Sequence, residues 1–515
     1  MYSTARSLTN SSSQTHTQFT FIMAKNEAPT IDVKLFVDKE KKKVLFAESD
    51  REFVDVLFGF LTMPLGTIVR LLGKQSQMGC LDELYKSVED LNSDYFQTKA
   101  CKAMLLKPLN AASSHCCRLK INIDDTNPRA VYVCKDTSCR WALDRAFSSV
   151  PDTICKCGKG MEYAGDRPED VAKSAAGSET GVFVNGRQKF ITTDDLQVAP
   201  ASTTLMLSLC QKFGVQDPAD LEQSILQLTS EKITSLLKRS LTSNQPLTGL
   251  HFDVPISPDD ATLCMTPENL CPDQMNETEV KIKILQTKIN STVLYAEVGH
   301  DFVDLVFGLL SVPLGSITKT FSQRLSKGCI DNLYRSIVGS AQGCMGPDYQ
   351  RLLLAPELAP FFGSVGSQIL QVAESAPKKI SINSCFNCFK IGGFSNIGRC
   401  REVYRGTYSY CSNSPKTAEL CELLDPKLSG AKSGKQAPHS FMVTDDLRVR
   451  PLSLDSSLRV VSEAKMQMKE LVEKEVTLTN FQVMELQRAA LMNRDALSSV
   501  LLPPKKKKNL KHLRY

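Results

Sequence analysis

Cys134-x4-Cys139 and, after fifteen intervening residues, Cys155-x-Cys157-Gly158 gather four thiols into two close pairs. Two pairs of thiolates are a donor set for a tetrahedral zinc ion, and four protein ligands leave no position for water, so such a zinc is structural. The first pair is wider and the second tighter than the usual knuckle spacing. Free thiols in a loop-rich stretch are therefore the competing reading. A second group comprises Cys385-x2-Cys388, Cys400 and Cys411, with Cys421 to spare. Only its first spacing is standard, and its positions do not align cleanly with the first group. Zinc is the one cofactor that these donors call for.

Paired acids are the next candidates. Asp194-Asp195 and Asp445-Asp446 each follow Thr and precede Leu. Adjacent carboxylates can hold a divalent cation or divide acid and base roles. Neighbours in an extended chain face opposite sides, however, and Asp favours turns by bonding nearby backbone. A structural turn is the expectation. Glu48 with Asp55, and Glu297 with Asp304, are read as ordinary charges near a helix start. His115 beside Cys116 and Cys117 has the residue types of a nucleophile pair, but sequence neighbours seldom face each other usefully. There is no phosphate-binding Gly loop, no His-Glu-x-x-His and no Gly-x-Ser-x-Gly. Of the six histidines, none lies four residues from another.

The elements that must carry these residues are written twice. Val44–Gly66 reads VLFAESDREFVDVLFGFLTMPLG and Val293–Gly315 reads VLYAEVGHDFVDLVFGLLSVPLG, identical at 13 of 23 positions. MGCLDELYKSV (78–88) matches KGCIDNLYRSI (327–337), and FITTDDLQVAPAS (190–202) matches FMVTDDLRVRPLS (441–453). The expected organisation is an amino-terminal extension 1–30, a first domain 31–252, a linker 253–279, a second domain 280–502 and a basic tail 503–515. Pro246, Pro255, Pro258, Pro267 and Pro272 give the stretch from Gln245 to Glu279 a linker-like character.

Within a copy, Val33–Val37 alternates apolar and polar residues, Asp38–Lys43 is polar and Val44–Ala47 is apolar, which predicts a β-hairpin. Phe53, Val54, Leu57, Phe58 and Leu61 form a helical stripe that Pro64 should end. Thr67 is the expected cap of a following short helix, and Leu81, Leu84, Tyr85 and Val88 predict another. Val182-Phe183-Val184-Asn185-Gly186 predicts a tight hairpin. Ser202 should cap a helix closed by Gly214, and 221–241 suggests two more helical stretches. Strands and helices are segregated, so the predicted class is α+β, two tandem homologous domains each with a Cys-containing, loop-rich insertion.

The net charge of +6 is concentrated at one end. Six of the 62 basic residues lie in the last eleven positions, and the remaining 56 balance the 56 acids. A neutral body argues against nucleic-acid binding through the folded surface. Pro503-Pro504-Lys505-Lys506-Lys507-Lys508 resembles a nuclear import signal, with a solvated terminus as the alternative. Residues 1–22 are Ser/Thr-rich without an apolar segment, which predicts an intracellular protein of cytoplasm or nucleus; an organelle transit peptide also fits. The longest apolar candidate, Phe53–Leu65, is interrupted by Asp55, Gly59 and Pro64, so no membrane span is expected.

VKLFVDKEKKKVLFAE, the FVDVLFGFLTMPLG block, GCLDELYKSV and the FITTDDLQVAP block together resemble the plant family catalogued as domain of unknown function 674. The resemblance runs through both copies and implies plant origin, but no activity or substrate. Three functions remain open on sequence grounds. The first is a non-enzymatic module that binds another protein and is stabilised by structural zinc. The second is an enzyme with an unrecognised site between the copies. The third is a nuclear zinc protein that touches nucleic acid through its tail.

Overall fold

Ile31, Val33, Leu35 and Val37 alternate with more exposed residues, and the strand Ile31–Asp38 buries that apolar set almost completely. It pairs antiparallel with Lys43–Ser49 across a turn in which the Lys41 amide donates to the Asp38 carboxylate at 2.9 Å. The computed structural model describes residues 28–140, 146–166, 181–186, 188–256, 280–288, 292–321, 328–385, 401–404, 407–410, 416–428 and 440–502. The amino-terminal segment, most of the expected linker and the basic tail lie outside these residues.

The hairpin is the centre of a five-stranded antiparallel sheet in the order Val198–Pro200, Phe190–Thr193, Lys43–Ser49, Ile31–Asp38, Leu221–Leu228. The second half repeats it with Val449–Pro451, Phe441–Thr444, Val293–Val298, Val280–Thr287 and Leu471–Leu478. The class is α+β. Phe53 lies in the helix Arg51–Gly59 and Phe302 in the helix His300–Phe307, so the repeated motif makes the same element in both halves.

Several local expectations are corrected. Thr67 does not cap a helix. The helix Leu65–Leu71 starts directly after Pro64, whose φ of −61° is already set for helix entry. The segment Leu221–Leu228 is a strand, not a helix, because Ile31–Asp38 offers it a full ladder of backbone partners. Only Ser230–Thr242 is helical there. Val182–Gly186 forms no hairpin, because three of its amides donate to the Asp55 carboxylate instead. The hairpin joins Phe190–Thr193 to Val198–Pro200, and the Asp194-Asp195-Leu196 turn closes it with Leu196 at φ 59°. Pro246–His251, expected to be linker-like, is a helix with Leu247 fully buried. Ser202 and Gly214 do bracket the helix Thr203–Phe213: the Ser202 hydroxyl accepts from the Leu205 amide at 3.1 Å and Gly214 adopts φ 73°.

The halves are not beads on a linker. One continuous apolar core contains Phe53, Phe58 and Leu81 from the first half and Phe302, Phe307 and Leu486 from the second. The contacts between them are reciprocal. Leu65 N–H donates to Val312 O and Leu314 N–H donates to Met63 O, both at 3.0 Å. Cys80 N–H reaches Ala490 O at 2.7 Å, and Cys329 N–H reaches Ser240 O at 2.8 Å. The Ser87 hydroxyl accepts from Val449 N–H and the Ser336 hydroxyl from Val198 N–H, both at 2.9 Å. This is the self-complementary pattern of a two-fold dimer, built within one chain.

Candidate metal centre

Cys134 ends the strand Ala130–Cys134, which pairs antiparallel with Met161–Asp166. Two residues later Asp136 caps the short helix Thr137–Arg140: its carboxylate accepts from Ser138 N–H at 2.8 Å and Cys139 N–H at 3.4 Å. That turn of helix accommodates the wide Cys134-x4-Cys139 spacing and brings Cys139 back beside Cys134. The tight second pair is explained equally locally. Cys155 N–H donates to Lys159 O and Gly158 N–H to Cys155 O, both at 2.8 Å, with Gly158 at φ 83°. A left-handed residue closes the knuckle, and glycine adopts that conformation without strain.

The four Sγ atoms lie within 4.8 Å of one another. Cys134 and Cys157 are 3.5 Å apart, as are Cys139 and Cys155. Disulfide sulfurs sit about 2 Å apart, so these are thiols, whereas a tetrahedral zinc with bonds of about 2.3 Å sets its sulfurs about 3.8 Å apart. Cys134 and Cys155 are buried, Cys139 is half-buried and Cys157 is exposed. Asp136 N–H points at Cys134 Sγ at 3.4 Å. Burial pushes the Cys134 thiol up to about 11 and raises Cys139 as well. Cys157 is held below the ordinary thiol value, chiefly by the Lys159 backbone N–H. An N–H donor and a partly exposed edge favour the charged thiolate that metal binding requires.

The centre is tied to the second half. Ala146–Phe147 pairs in parallel with Glu422–Leu423 of the strand Lys416–Leu423, and Leu424 N–H donates to Phe147 O at 2.8 Å. Leu424 packs with Cys134, Cys155 and Met161, and Lys156 pairs with Glu422 at 3.1 Å. Sequence reasoning found the four cysteines and missed this docking. Asp136, two residues past Cys134, was the readable signal for the local cap.

Among the described residues these four cysteines form the metal-ligand cluster. Of the second group, Cys385 ends the strand Ile380–Cys385 and pairs in register with Lys416, while Cys388, Cys400 and Cys411 lie outside the described residues. Cys421 packs with Val131 and Phe147 as an apolar side chain.

Asp55, Asp194, Asp195 and Asp445 accept hydrogen bonds from the protein itself. The Asp194 carboxylate accepts from Thr248 N–H at 2.9 Å and Thr248 Oγ at 2.6 Å, capping the helix Pro246–His251. Asp445 does the same for Ala496–Leu501 through Ser498, at 2.7 and 2.6 Å. Burial pushes the Asp194 carboxyl up to about 6. Asp195 accepts from Thr193 Oγ and from Gln197 Nε at 2.8 Å inside its own turn. Asp55 is buried within Arg51–Gly59, and its carboxylate accepts three backbone amides, Val182 at 2.7 Å and Phe183 and Val184 at 2.9 Å. Asp304 holds the matching position in His300–Phe307, and Glu48 and Glu297 lie in hairpin strands. His115 makes an edge contact with Tyr349, whereas Cys116 is buried against Thr62 and Asn110. They make no nucleophile pair.

Fold and site thus define an internally duplicated α+β protein with a four-thiol cluster on an insertion of its first half. A family model described as "Protein of unknown function (DUF674)" matches residues 27–481 and again 437–514, and the chain belongs to that family. No curated protein and no solved structure matches it. Among the described residues, no helix is long and apolar enough to cross a membrane.

Proposed function

We propose that this protein is a non-enzymatic, protein-binding module whose first insertion is held in place by one structural zinc ion at Cys134, Cys139, Cys155 and Cys157. The observation that carries the reading is the convergence of four thiol sulfurs within 4.8 Å. Four cysteines fill a tetrahedral shell, so the ion's role is to fix the insertion, not to activate water. Zinc would stand in for the apolar core that a short insertion lacks. The acids that resembled catalytic candidates support binding over catalysis, because Asp55 spends its oxygens on backbone amides and Asp194 and Asp445 spend theirs on one backbone amide and one hydroxyl each. Each five-stranded sheet also ends in an edge strand, Leu221–Leu228 or Leu471–Leu478. Edge strands are where a partner chain can add backbone hydrogen bonds. The second edge carries Glu473, Lys474 and Glu475, which guard against indiscriminate pairing; the first exposes Ile225 more fully than the second exposes Val472. Reduced thiols suit an intracellular compartment.

The test is elemental analysis of the full chain, purified under reductant without a metal-binding tag. The full chain is needed because the halves share a core. About one zinc per chain is expected, lost in Cys155→Ser. A further equivalent lost in Cys385→Ser would assign a second ion to Cys385, Cys388, Cys400 and Cys411. Less than about a tenth of an equivalent, with all thiols freely reactive, overturns the reading.

A further inference from the structure

All four sulfurs lie within 4.8 Å of one another, and two of their contacts cross between the arms of the cluster. Two contacts of 3.5 Å join Cys134 to Cys157 and Cys139 to Cys155. Each of these pairs combines one buried sulfur, Cys134 or Cys155, with one that solvent reaches, Cys157 or Cys139. The pairs are also nested in sequence, separated by 23 and 16 positions, so both link the Cys134–Cys139 arm to the Cys155–Cys157 knuckle. Neither lies within one arm.

We propose that the centre is a peroxide-responsive switch: oxidation expels the metal and replaces it with two defined disulfides, Cys134–Cys157 and Cys139–Cys155. This rests on the structural-zinc reading. In each pair the accessible sulfur attacks hydrogen peroxide; the O–O bond breaks, one oxygen stays on sulfur as a sulfenic acid and the other leaves as hydroxide. The buried thiol of the same pair then attacks that sulfur, the S–S bond forms and water leaves. Each disulfide takes two electrons from its pair of sulfurs and gives them to one peroxide, so two peroxides are consumed for each zinc released. A sulfur in a disulfide no longer offers the thiolate that zinc needs, so the ion departs.

The nesting determines the state of the insertion after oxidation. Both disulfides span the same gap that the metal spanned, so the insertion stays closed after the metal has gone. Three states should therefore differ. The zinc form and the disulfide form both hold Ala146–Phe147 against Glu422–Leu423, whereas the reduced, metal-free form releases it. Oxidation changes the chemistry of the centre without undoing the link between the halves, and a thiol reductant with zinc restores the starting state.

The experiment uses the full chain with its zinc content measured first, which reports on the metal reading separately. Hydrogen peroxide is added in steps while a chromogenic chelator reads released zinc, and disulfides are mapped by mass spectrometry without reduction. Release of the bound zinc with about two peroxides consumed per ion, and recovery of Cys134–Cys157 and Cys139–Cys155, is the expected result. Hydrogen exchange at Cys155 and Leu424 should be slow in the zinc and disulfide forms and at least about tenfold faster in the reduced, chelated form. Cys157→Ser should still form Cys139–Cys155. Zinc retained under peroxide, bridges within an arm such as Cys155–Cys157, or Cys134 diverted to Cys139 in Cys157→Ser would each overturn the switch. A chain that carries no zinc yet forms the two predicted disulfides would overturn the metal reading, and with it the expulsion step.

Discussion

Gly79 offers a direct measurement of the seam between the halves. It sits at φ 49°, and a Cβ added there would collide with the Ala490 carbonyl oxygen and lie 2.7 Å from the Leu491 carbonyl carbon. Gly73, six residues earlier, has φ 63° with nothing within 4 Å of its added Cβ. Gly73→Ala and Gly79→Ala therefore share the left-handed penalty of about 1–2 kcal/mol, and only the second meets the other half. Relieving the collision pulls the chain away from Asn480–Met492. That breaks the Cys80 N–H bond to Ala490 O at 2.7 Å and the Cys80 Sγ contact to Asn493 O at 3.0 Å. Two such bonds at about 1 kcal/mol each, with some lost packing, make the excess about 3 kcal/mol. With an unfolding entropy of about 2 cal/mol/K per residue over the roughly 400 described residues, that is a further drop in melting temperature of about 4 °C. Paired thermal melts of the two variants, tracked by circular dichroism, provide the comparison. Gly328→Ala, which meets Ser240 O from the opposite side of the seam, should repeat the effect. Equal melting temperatures for Gly73→Ala and Gly79→Ala would refute the reciprocal packing.

Two further predictions concern the buried acids. Asp55→Asn keeps the shape but turns an NH2 toward amides that need an acceptor, so it should cost about 2–4 kcal/mol; hydrogen exchange at Val182, Phe183 and Val184 should accelerate, and unchanged protection there would show that the latch is not formed. Asp194, at about 6, binds its proton more readily folded than unfolded. Its contribution therefore favours the folded state increasingly as pH falls from about 6 to about 4, and that gain is lost as pH rises through 6. Asp194→Asn should flatten that part of the stability–pH curve measured by denaturant titration, and a curve of unchanged slope would sink the assignment.

Features set by local periodicity and spacing were legible in the amino-acid sequence. Alternation in Ile31–Asp38 specified a strand because one face of a sheet is buried and side chains alternate across it. The 13 identities between Val44–Gly66 and Val293–Gly315 specified that the element is made twice. Cys134, Cys139, Cys155 and Cys157 were legible as one group because their backbone turns, an Asp-capped helical turn and a Gly-closed knuckle, are short-range. Ser202 and Gly214 were legible for the same reason: a cap is read from residues within a turn of each other.

Tertiary structure decided what depends on partners distant in sequence. Leu221–Leu228 carries apolar residues that fit either period, and the free backbone edge of Ile31–Asp38, some 190 positions away in the ladder, settled it as a strand. Val182–Gly186 has the composition of a hairpin, but three of its amides found the Asp55 carboxylate, 127 to 129 positions earlier, and a charged acceptor outcompetes a neighbouring strand. The exchange of contacts between the halves was likewise invisible. A repeat states that two surfaces are alike; only packing states that they are complementary, because burying the apolar faces of Phe53 and Phe302 in one core stabilises both at once.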